Sequence, residues 1–120
     1  MHITPKADAW ATLMAADRPG PVQMLNLVRY RDGGAATYAA YGRATAPIFA
    51  RVGGRIVWTG QVEQVVIGPA EERWDLAFVA EYPGLAAFQA MLSDPDYQHA
   101  SALRDAALAD SRLIRLGPMG

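Results

Sequence analysis

Asn26 is the first candidate for a functional residue. It is a polar side chain among the apolar residues of the most strand-like run of the chain, PVQMLNLVRYR. A carboxamide on the strand face that Met24 and Val28 share must find hydrogen-bond partners or cost about 1–3 kcal/mol. A ligand carbonyl or oxyanion is one such partner. A backbone group of the core is the other, and buried polar residues are normally paired in that way. Asn26 is therefore a candidate pocket residue with a structural alternative.

Aromatic side chains form a second group of candidates. Trp58 and the helix residues Tyr38 and Tyr41 can line a cavity with flat apolar walls and phenolic donors, which suits aromatic or polyketide-like molecules. The same side chains are also typical of a packed core. Tyr41 is the stronger candidate because its stripe faces the sheet and Pro47 is expected to interrupt the same helix. For Trp58, simple packing is the favoured interpretation.

A predicted helix beginning at Pro95 carries Tyr97 and Arg104 on one face. Arg104 is a candidate anchor for an anionic substrate, and an exposed ion pair with Asp105, Asp110 or a dimer mate is the favoured interpretation. His99 is turned away from that face, although an imidazole there could act as acid or base. Its one imidazole companion, His2, lies near the N-terminus, so a metal site built on a histidine pair is not expected.

Composition excludes several classes of function. The formal net charge is −1, and no segment gathers Lys and Arg, so the footprint of a nucleic-acid or anionic-membrane binder is missing. Cysteine is absent, which excludes disulfides and thiolate chemistry. Nucleotide-binding, serine-hydrolase and zinc-protease motifs are absent as well. With no signal peptide or membrane span in the sequence, we expect a cytoplasmic protein without cofactor or metal.

The 120 residues fit a single domain preceded by a helix. Residues 1–20 are predicted to form a short amphipathic helix, from about Pro5 to Ala16, and a linker. Residues 21–117 form the domain, and residues 118–120 form a tail. The helix is expected to pack on the domain through three side chains: Trp10, Leu13 and Met14.

Within the domain, hydrophobic periodicity predicts four strands and two helical regions, the second of which consists of two consecutive helices. The strands are predicted at residues 21–31, 55–67, 74–82 and 111–116, and the helices at 35–52, 83–92 and 95–109. Pro47 predicts a kink or break near Thr45, and Gly60 a bulge in a strand on which Ile56 and Trp58 point one way. The β-α-β-β-α-β order predicts an α+β, ferredoxin-like protein, a four-stranded antiparallel sheet with its helices on one face.

The uncovered face of that sheet predicts self-association. The segments MLNLV, VVI and LAFVA are apolar on both sides over their centres, whereas a strand facing water on one side should alternate. Because the helices cover the first face, the second is expected to pack on the same sheet of another copy. The sequence therefore predicts a homodimer.

Several segments together resemble a known family. They are MLNLVRYRDG, YAAYGRATAPIFARVGG, IVWTGQV, AEYPGLAAFQAMLSDPDYQ and ADSRLIRL. In this order they resemble the family of unknown function numbered 1330, within the dimeric α/β barrel superfamily. The resemblance implies a ferredoxin-like protomer, a barrel-like homodimer and a pocket between sheet and helices. Superfamily relatives include cofactor-free monooxygenases, muconolactone isomerases, stress-response dimers and haem enzymes, and the fold does not select among them.

The leading interpretation is a small dimeric protein whose sheet–helix pocket is formed by Asn26, Tyr41, Trp58 and Arg104. As an enzyme it would act without cofactor, in the manner of a monooxygenase or isomerase, on a small organic molecule whose enolate-like anion the pocket donors stabilise. The alternative is a ligand-binding or stress-response dimer without catalysis.

Overall fold

Four strands and four helices follow one another in the computed structural model, which describes residues 1–119. In chain order they are α1 (Ala7–Ala15), β1 (Val22–Tyr30), α2 (Gly34–Arg51), β2 (Arg55–Gln61), β3 (Leu76–Tyr82), α3 (Leu85–Ser93), α4 (Pro95–Ala107) and β4 (Leu108–Leu116). After α1 this is the predicted β-α-β-β-α-β order, with the second helical region in two pieces. Of the predicted tail, Gly120 lies outside the described residues.

The four strands form one antiparallel sheet in the order β2-β3-β1-β4. At its centre Asn26 pairs with Phe78 of β3 and with Leu113 of β4. Side chains of a strand alternate between the two faces, and directly opposed residues share a face. Met24 and Val28, both 1% exposed, lie in the core under the helices, so that side is called the helix side. The opposite side, which carries Leu25, is called the outer face. The ferredoxin-like α+β class is thus confirmed.

The core on the helix side is divided into two clusters. The first cluster comprises Val22, Met24, Ile48, Ala80, Tyr82, Leu85, Phe88 and Met91. The second cluster comprises Val28, Tyr38, Ala107 and Leu108. Phe78 packs against both, and its direct neighbour in the sheet is Asn26. The space where the two clusters meet, next to Phe78 and Asn26, is called the junction.

The N-terminal helix packs as predicted but begins later. Trp10, Leu13 and Met14 pack against the first cluster, and the Trp10 ring lies 6.1 Å from the Phe88 ring. The predicted start at Pro5 is wrong, because α1 begins at Ala7 after Lys6, which gives no side-chain cap. No residue of α1 is fully buried, so this helix is an addition to the core.

The predicted break at Pro47 is wrong, since α2 is one helix of 18 residues that contains this proline. Pro47 and Arg43, whose carbonyl loses its amide partner, both lie on the exposed side of the helix, where water can bond to the free oxygen. On the other side Ile48 is only 4% exposed. Packing on the sheet therefore keeps the helix continuous.

The second strand is shorter than predicted and bulges elsewhere. It ends at Gln61, and Ile67, where the predicted strand ends, is 95% exposed in the long connection to β3. The register shifts between Ile56 and Trp58, so the bulge lies there and not at Gly60. Ile56 pairs with a helix-side residue of β3, whereas Trp58 pairs with an outer-face residue. The prediction that both point one way is therefore wrong.

The predicted helix restart after α3 is confirmed. The carboxylate of Asp94 accepts the backbone N–H of Asp96 at 2.8 Å, and Pro95 is at the start of α4. This helix ends at Ala107, and β4 begins directly at Leu108, three residues before the predicted strand. The longer strand pairs with β1 along almost its whole length.

Candidate functional site

A pair of hydrogen-bonded tyrosines joins the two long helices above the sheet. Tyr41 of α2 packs against the second cluster, and Tyr97 of α4 packs against the first. Their hydroxyl oxygens are 2.7 Å apart, and the rings meet edge to face at 6.1 Å. The pair therefore bridges the two clusters on the helix side, as Phe78 does on the sheet.

Burial keeps the phenols of Tyr41 and of its neighbour Tyr38 protonated. It raises the pKa of Tyr41 far above its ordinary value, and the neighbouring Tyr97 hydroxyl raises that pKa further. Burial likewise raises the pKa of Tyr38 to about 12, against a smaller opposing effect of the Arg104 charge. The rings of Tyr38 and Tyr41 are in contact, with centroids 5.3 Å apart and planes tilted by 40°. Both phenols stay neutral around pH 7 and act as hydrogen-bond donors, not as bases.

Asn26 lies on the helix side, between two residues that are 1% exposed, yet it keeps part of its own surface accessible. Its Nδ2 donates to the Met24 carbonyl oxygen at 3.2 Å. Its Oδ1 accepts no hydrogen bond from the described residues and is not among their buried unsatisfied atoms. On the same row of the sheet, Leu113 is 44% exposed. Accessible space therefore reaches the junction along this row.

Arg104 lies on the same stripe of α4 as Tyr97, two turns further on. Its Nη1 donates to the Ile3 carbonyl oxygen at 2.6 Å, and its Nη2 donates to Ser111 Oγ at 3.3 Å. The predicted ion pair with an aspartate is not found among the described residues, where Asp110 pairs with Arg112 instead. The guanidinium therefore has neutral partners only.

Trp58 is separated from the other three candidates. It lies on the outer face and is 55% exposed, and its indole stands over Gly60 on the same strand. Asn26, Tyr41 and Arg104 are on the helix side. The helix side thus holds three of the four candidates named from the sequence.

Among the described residues the surface includes a cavity between α2 and α4 and another where β1 turns into α2, and neither is lined by these four candidates. One, of about 490 Å³, lies between α2 and α4 and includes His99 and Asp96. The other, of about 630 Å³, lies where β1 turns into α2 and includes Tyr30 and Arg73. Beside the junction, the accessible surface is that of Asn26, which is partly exposed, and of Leu113, which is 44% exposed.

Sequence reasoning missed the partner of Tyr41. The helical spacing placed Tyr97 on the face of Arg104, but nothing local to the sequence indicated that its hydroxyl reaches α2. It also missed Leu113 and Ser111, which belong to the helix side of β4. Within residues 1–119 there is no group of three or more His, Cys, Asp or Glu that could hold a metal ion. No helix in the same range is long and apolar enough to cross a membrane.

The strand order and the one-sided helices are those of a ferredoxin-like protein. The chain belongs to the family described as Domain of unknown function (DUF1330), whose model matches residues 27–116. The resemblance found in its segments is thereby confirmed. No curated protein matches the sequence.

Solved structures extend this comparison. The chain is 50% identical to the RPA0582 protein of unknown function from Rhodopseudomonas palustris, over 99% of this chain and 98% of that one, with a TM-score of 0.92. A dimeric ferredoxin-like protein of unknown function from Thermobifida fusca YX is 21% identical, over 84% and 93% of the chains, with a TM-score of 0.57. SnoaB, a cofactor-independent oxygenase from Streptomyces nogalater, is 17% identical, over 84% and 95%, with a TM-score of 0.60. The last two share the fold.

Proposed function

We propose that the junction binds a small organic carbonyl compound and stabilises its enolate-like anion by hydrogen bonds, without a cofactor. The observation that carries this proposal is the 2.7 Å bond between the hydroxyls of Tyr41 and Tyr97. In such a pair one proton lies between the two oxygens, so the accepting phenol keeps its own O–H to donate elsewhere. An oxyanion in the junction is the acceptor that this proton would meet.

Asn26 fits the same role from the sheet. Its amide lies between the apolar side chains of Phe78 and Leu113 on a row that ends at Thr59 of β2. A donor from the sheet and a donor from the helices can hold one oxygen from two directions, in surroundings with little water. Apolar neighbours strengthen these hydrogen bonds because the local dielectric is low.

Stabilised enolates lead to two kinds of chemistry. Protonation of the enolate at another carbon isomerises the substrate, and electron transfer from the enolate to O₂ begins an oxygenation. The second route is supported by the fold shared with a cofactor-independent oxygenase, at 17% identity. Both need a substrate whose α-hydrogen is already acidic, because burial raises the pKa of Tyr41 and leaves this phenol a hydrogen-bond donor at neutral pH, not a base.

Ligand binding without catalysis is the second candidate function. It is favoured by the composition of the junction, where the described polar side chains are an amide, phenols and a guanidinium. Catalysis of proton transfer normally uses a positioned base with a pKa near the working pH. A dimer that binds and holds a small molecule, as in a stress response, needs no such group.

The functional unit in either case is a homodimer that packs through the outer face. That face carries apolar side chains on all four strands, among them Leu25, Val79, Ile114 and Trp58. Trp58 and Ile114 are 55% and 42% exposed in the single chain. Large exposed apolar patches mark interaction surfaces, and a fold relative from Thermobifida fusca is described as dimeric. Sedimentation at micromolar concentration tests this, and a stable folded monomer would contradict it.

The enolate proposal is tested with 2-tetralone, a neutral aromatic ketone with exchangeable α-hydrogens. We expect the protein to accelerate the exchange of these hydrogens into deuterated buffer, followed by NMR. Tyr97→Phe removes one phenolic donor and should lower the acceleration by about 10²-fold. Tyr30→Phe is the matched control. Tyr30 belongs to the same group of packed tyrosine rings, but its side chain forms no hydrogen bond with the described residues.

The outcomes separate the two candidate functions. Exchange that depends on Tyr97 and not on Tyr30 supports the enolate proposal. Saturable thermal stabilisation by 2-tetralone without faster exchange supports binding alone. Exchange that is equally fast in both variants would place the chemistry elsewhere.

A further inference from the structure

Arg115 carries a buried polar atom without a partner on the helix side of β4. Its Nε is buried and has no hydrogen-bond partner among the described residues, the one such side-chain atom found there. Its Nη1 donates to the Ala16 carbonyl oxygen, at the end of α1, at 3.0 Å. An N–H buried in this way costs about 1–3 kcal/mol, so a group that accepts its hydrogen bond would stabilise the protein.

The free edge of this guanidinium has the geometry of a carboxylate site. Nη1 is occupied, which leaves Nε–H and one Nη2–H side by side on the other edge. These two parallel N–H groups match the two oxygens of one carboxylate. In the described part of the chain Arg115 forms no ion pair, in contrast to Arg51, Arg55 and Arg112.

The sheet register places Arg115 on the same side of the sheet as the junction. Arg115 pairs with Met24, Leu113 pairs with Asn26, and Ser111 pairs with Val28, so all three residues of β4 lie on the helix side. Leu113 is 44% exposed. It is about 7 Å along the strand from each of the other two, judged by the rise of a β-strand.

A second guanidinium group that is not paired with a carboxylate lies on the other side of Leu113. Arg104 is bonded to Ser111 Oγ at 3.3 Å, and it also approaches Tyr38 and Tyr41 closely enough to affect the pKa of both. Leu113 is therefore flanked by two positive charges with neutral partners. Coulomb attraction to an anion between them is strong because the surroundings are partly buried.

We infer that the ligand of the junction is an organic acid whose carboxylate binds to the Nε–Nη2 edge of Arg115, beside Leu113. The inference rests on the proposed function and names the substrate class: an enolisable carbonyl compound that bears a carboxylate. Nε has no accessible surface without ligand, so binding displaces neighbouring groups. The end of α1, which Arg115 contacts and which contains no fully buried residue, is the segment expected to move.

The test compares 2-naphthoate with 2-naphthamide, which have the same shape and differ in charge. Isothermal titration of the full chain should show naphthoate binding at least about tenfold tighter, the factor that about 1.4 kcal/mol gives. Arg115→Lys keeps the charge but loses the parallel N–H groups, and should abolish this preference. Arg55→Lys is the matched control, because Arg55 is an exposed strand arginine paired with Glu81.

A second variant keeps the test decisive if Arg115→Lys does not fold. Leu113→Glu places a carboxylate two residues from Arg115 on the same side of the strand, where it can fill the free edge. We expect this variant to raise the melting temperature and to block naphthoate, whereas Leu113→Gln does neither. An unchanged melting temperature and undiminished naphthoate binding in Leu113→Glu would overturn the inference.

Other outcomes are equally informative. Absence of naphthoate binding, equal binding of the acid and the amide, or a preference retained in Arg115→Lys would each overturn the inference. Tyr97→Phe distinguishes it from the enolate proposal. Naphthoate binding that needs Arg115 while the exchange of 2-tetralone ignores Tyr97 would leave the acid site standing and remove the enolate chemistry. The reverse pattern would remove the acid site alone.

Discussion

The two faces of β1 differ in the burial and in the polarity of their side chains. On the helix side, Val22, Met24 and Val28 are at most 2% exposed, and the exception is the polar and partly accessible Asn26. On the outer face the side chains are apolar at the centre but only partly buried, as at Leu25. A polar group among sealed residues indicates a site, whereas apolar groups left open indicate an interface. Neighbouring residues of one strand thus serve different purposes.

The largest effect is expected from truncation on the helix side. Met24→Ala leaves a cavity in the first cluster and should lower the free energy of unfolding by about 2–5 kcal/mol. Leu25→Ala, its neighbour on the outer face, should cost less and in a manner that depends on protein concentration. Urea unfolding at two protein concentrations measures both. Equal, concentration-independent losses would show that the two faces are equivalent.

A charge on the outer face should act on assembly. Leu25→Asp buries a carboxylate in the proposed dimer interface and should weaken association by about 100-fold or more, with the single chain still folded. Ala102→Asp adds the same charge on the exposed side of α4 and is the control. Sedimentation velocity over a dilution series gives the dissociation constants. If both variants assemble like the wild type, the interface lies elsewhere.

Asp110, near the start of β4, accepts a hydrogen bond from the N-terminal segment. The stability that this contact provides should depend on pH. Burial alone would raise the pKa of Asp110, but hydrogen bonds from the His2 N–H, Arg112 and the Ser111 N–H lower it to about 2. A carboxyl whose pKa is lower in the folded state stabilises the fold above its ordinary value near 4, and that contribution is lost as the pH falls towards 2.

Asp110→Asn should therefore cost about 1.5–3 kcal/mol at pH 7, the range for hydrogen bonds to a charged group. It should also remove part of the stability change between pH 4 and pH 2. Thermal unfolding across this pH range provides the measurement. An acid profile identical to the wild type would show that Asp110 does not hold the N-terminus.

The smallest effect is expected from the phenol pair. Tyr97→Phe removes one hydrogen bond between α2 and α4 and should lower the free energy of unfolding by about 1 kcal/mol. Its effect on the exchange of 2-tetralone should be far larger. A stability loss of several kcal/mol would instead identify the pair as a structural clamp between the helices.

Features that depend on residues close together in the chain were predictable from the sequence, whereas features that depend on distant residues were not. Asp94 and Pro95 form a local helix start, so the restart of α4 was predictable. The break at Pro47 was predicted from a local cost, which packing around Ile48 and solvent at Arg43 outweigh. The bulge beside Trp58 depends on how β2 pairs with β3, and local sequence does not carry that information.

The sequence by itself determined the order of elements, the fold class and the family, because periodicity and capping depend on near neighbours in the chain. It also indicated Asn26, Tyr41, Trp58 and Arg104 as candidates for a pocket. The tertiary structure alone decided that Tyr41 meets Tyr97, that Trp58 lies on the opposite face, and that Arg115 has a free edge beside Leu113. These facts depend on strand register and helix packing, which bring together residues far apart in the chain.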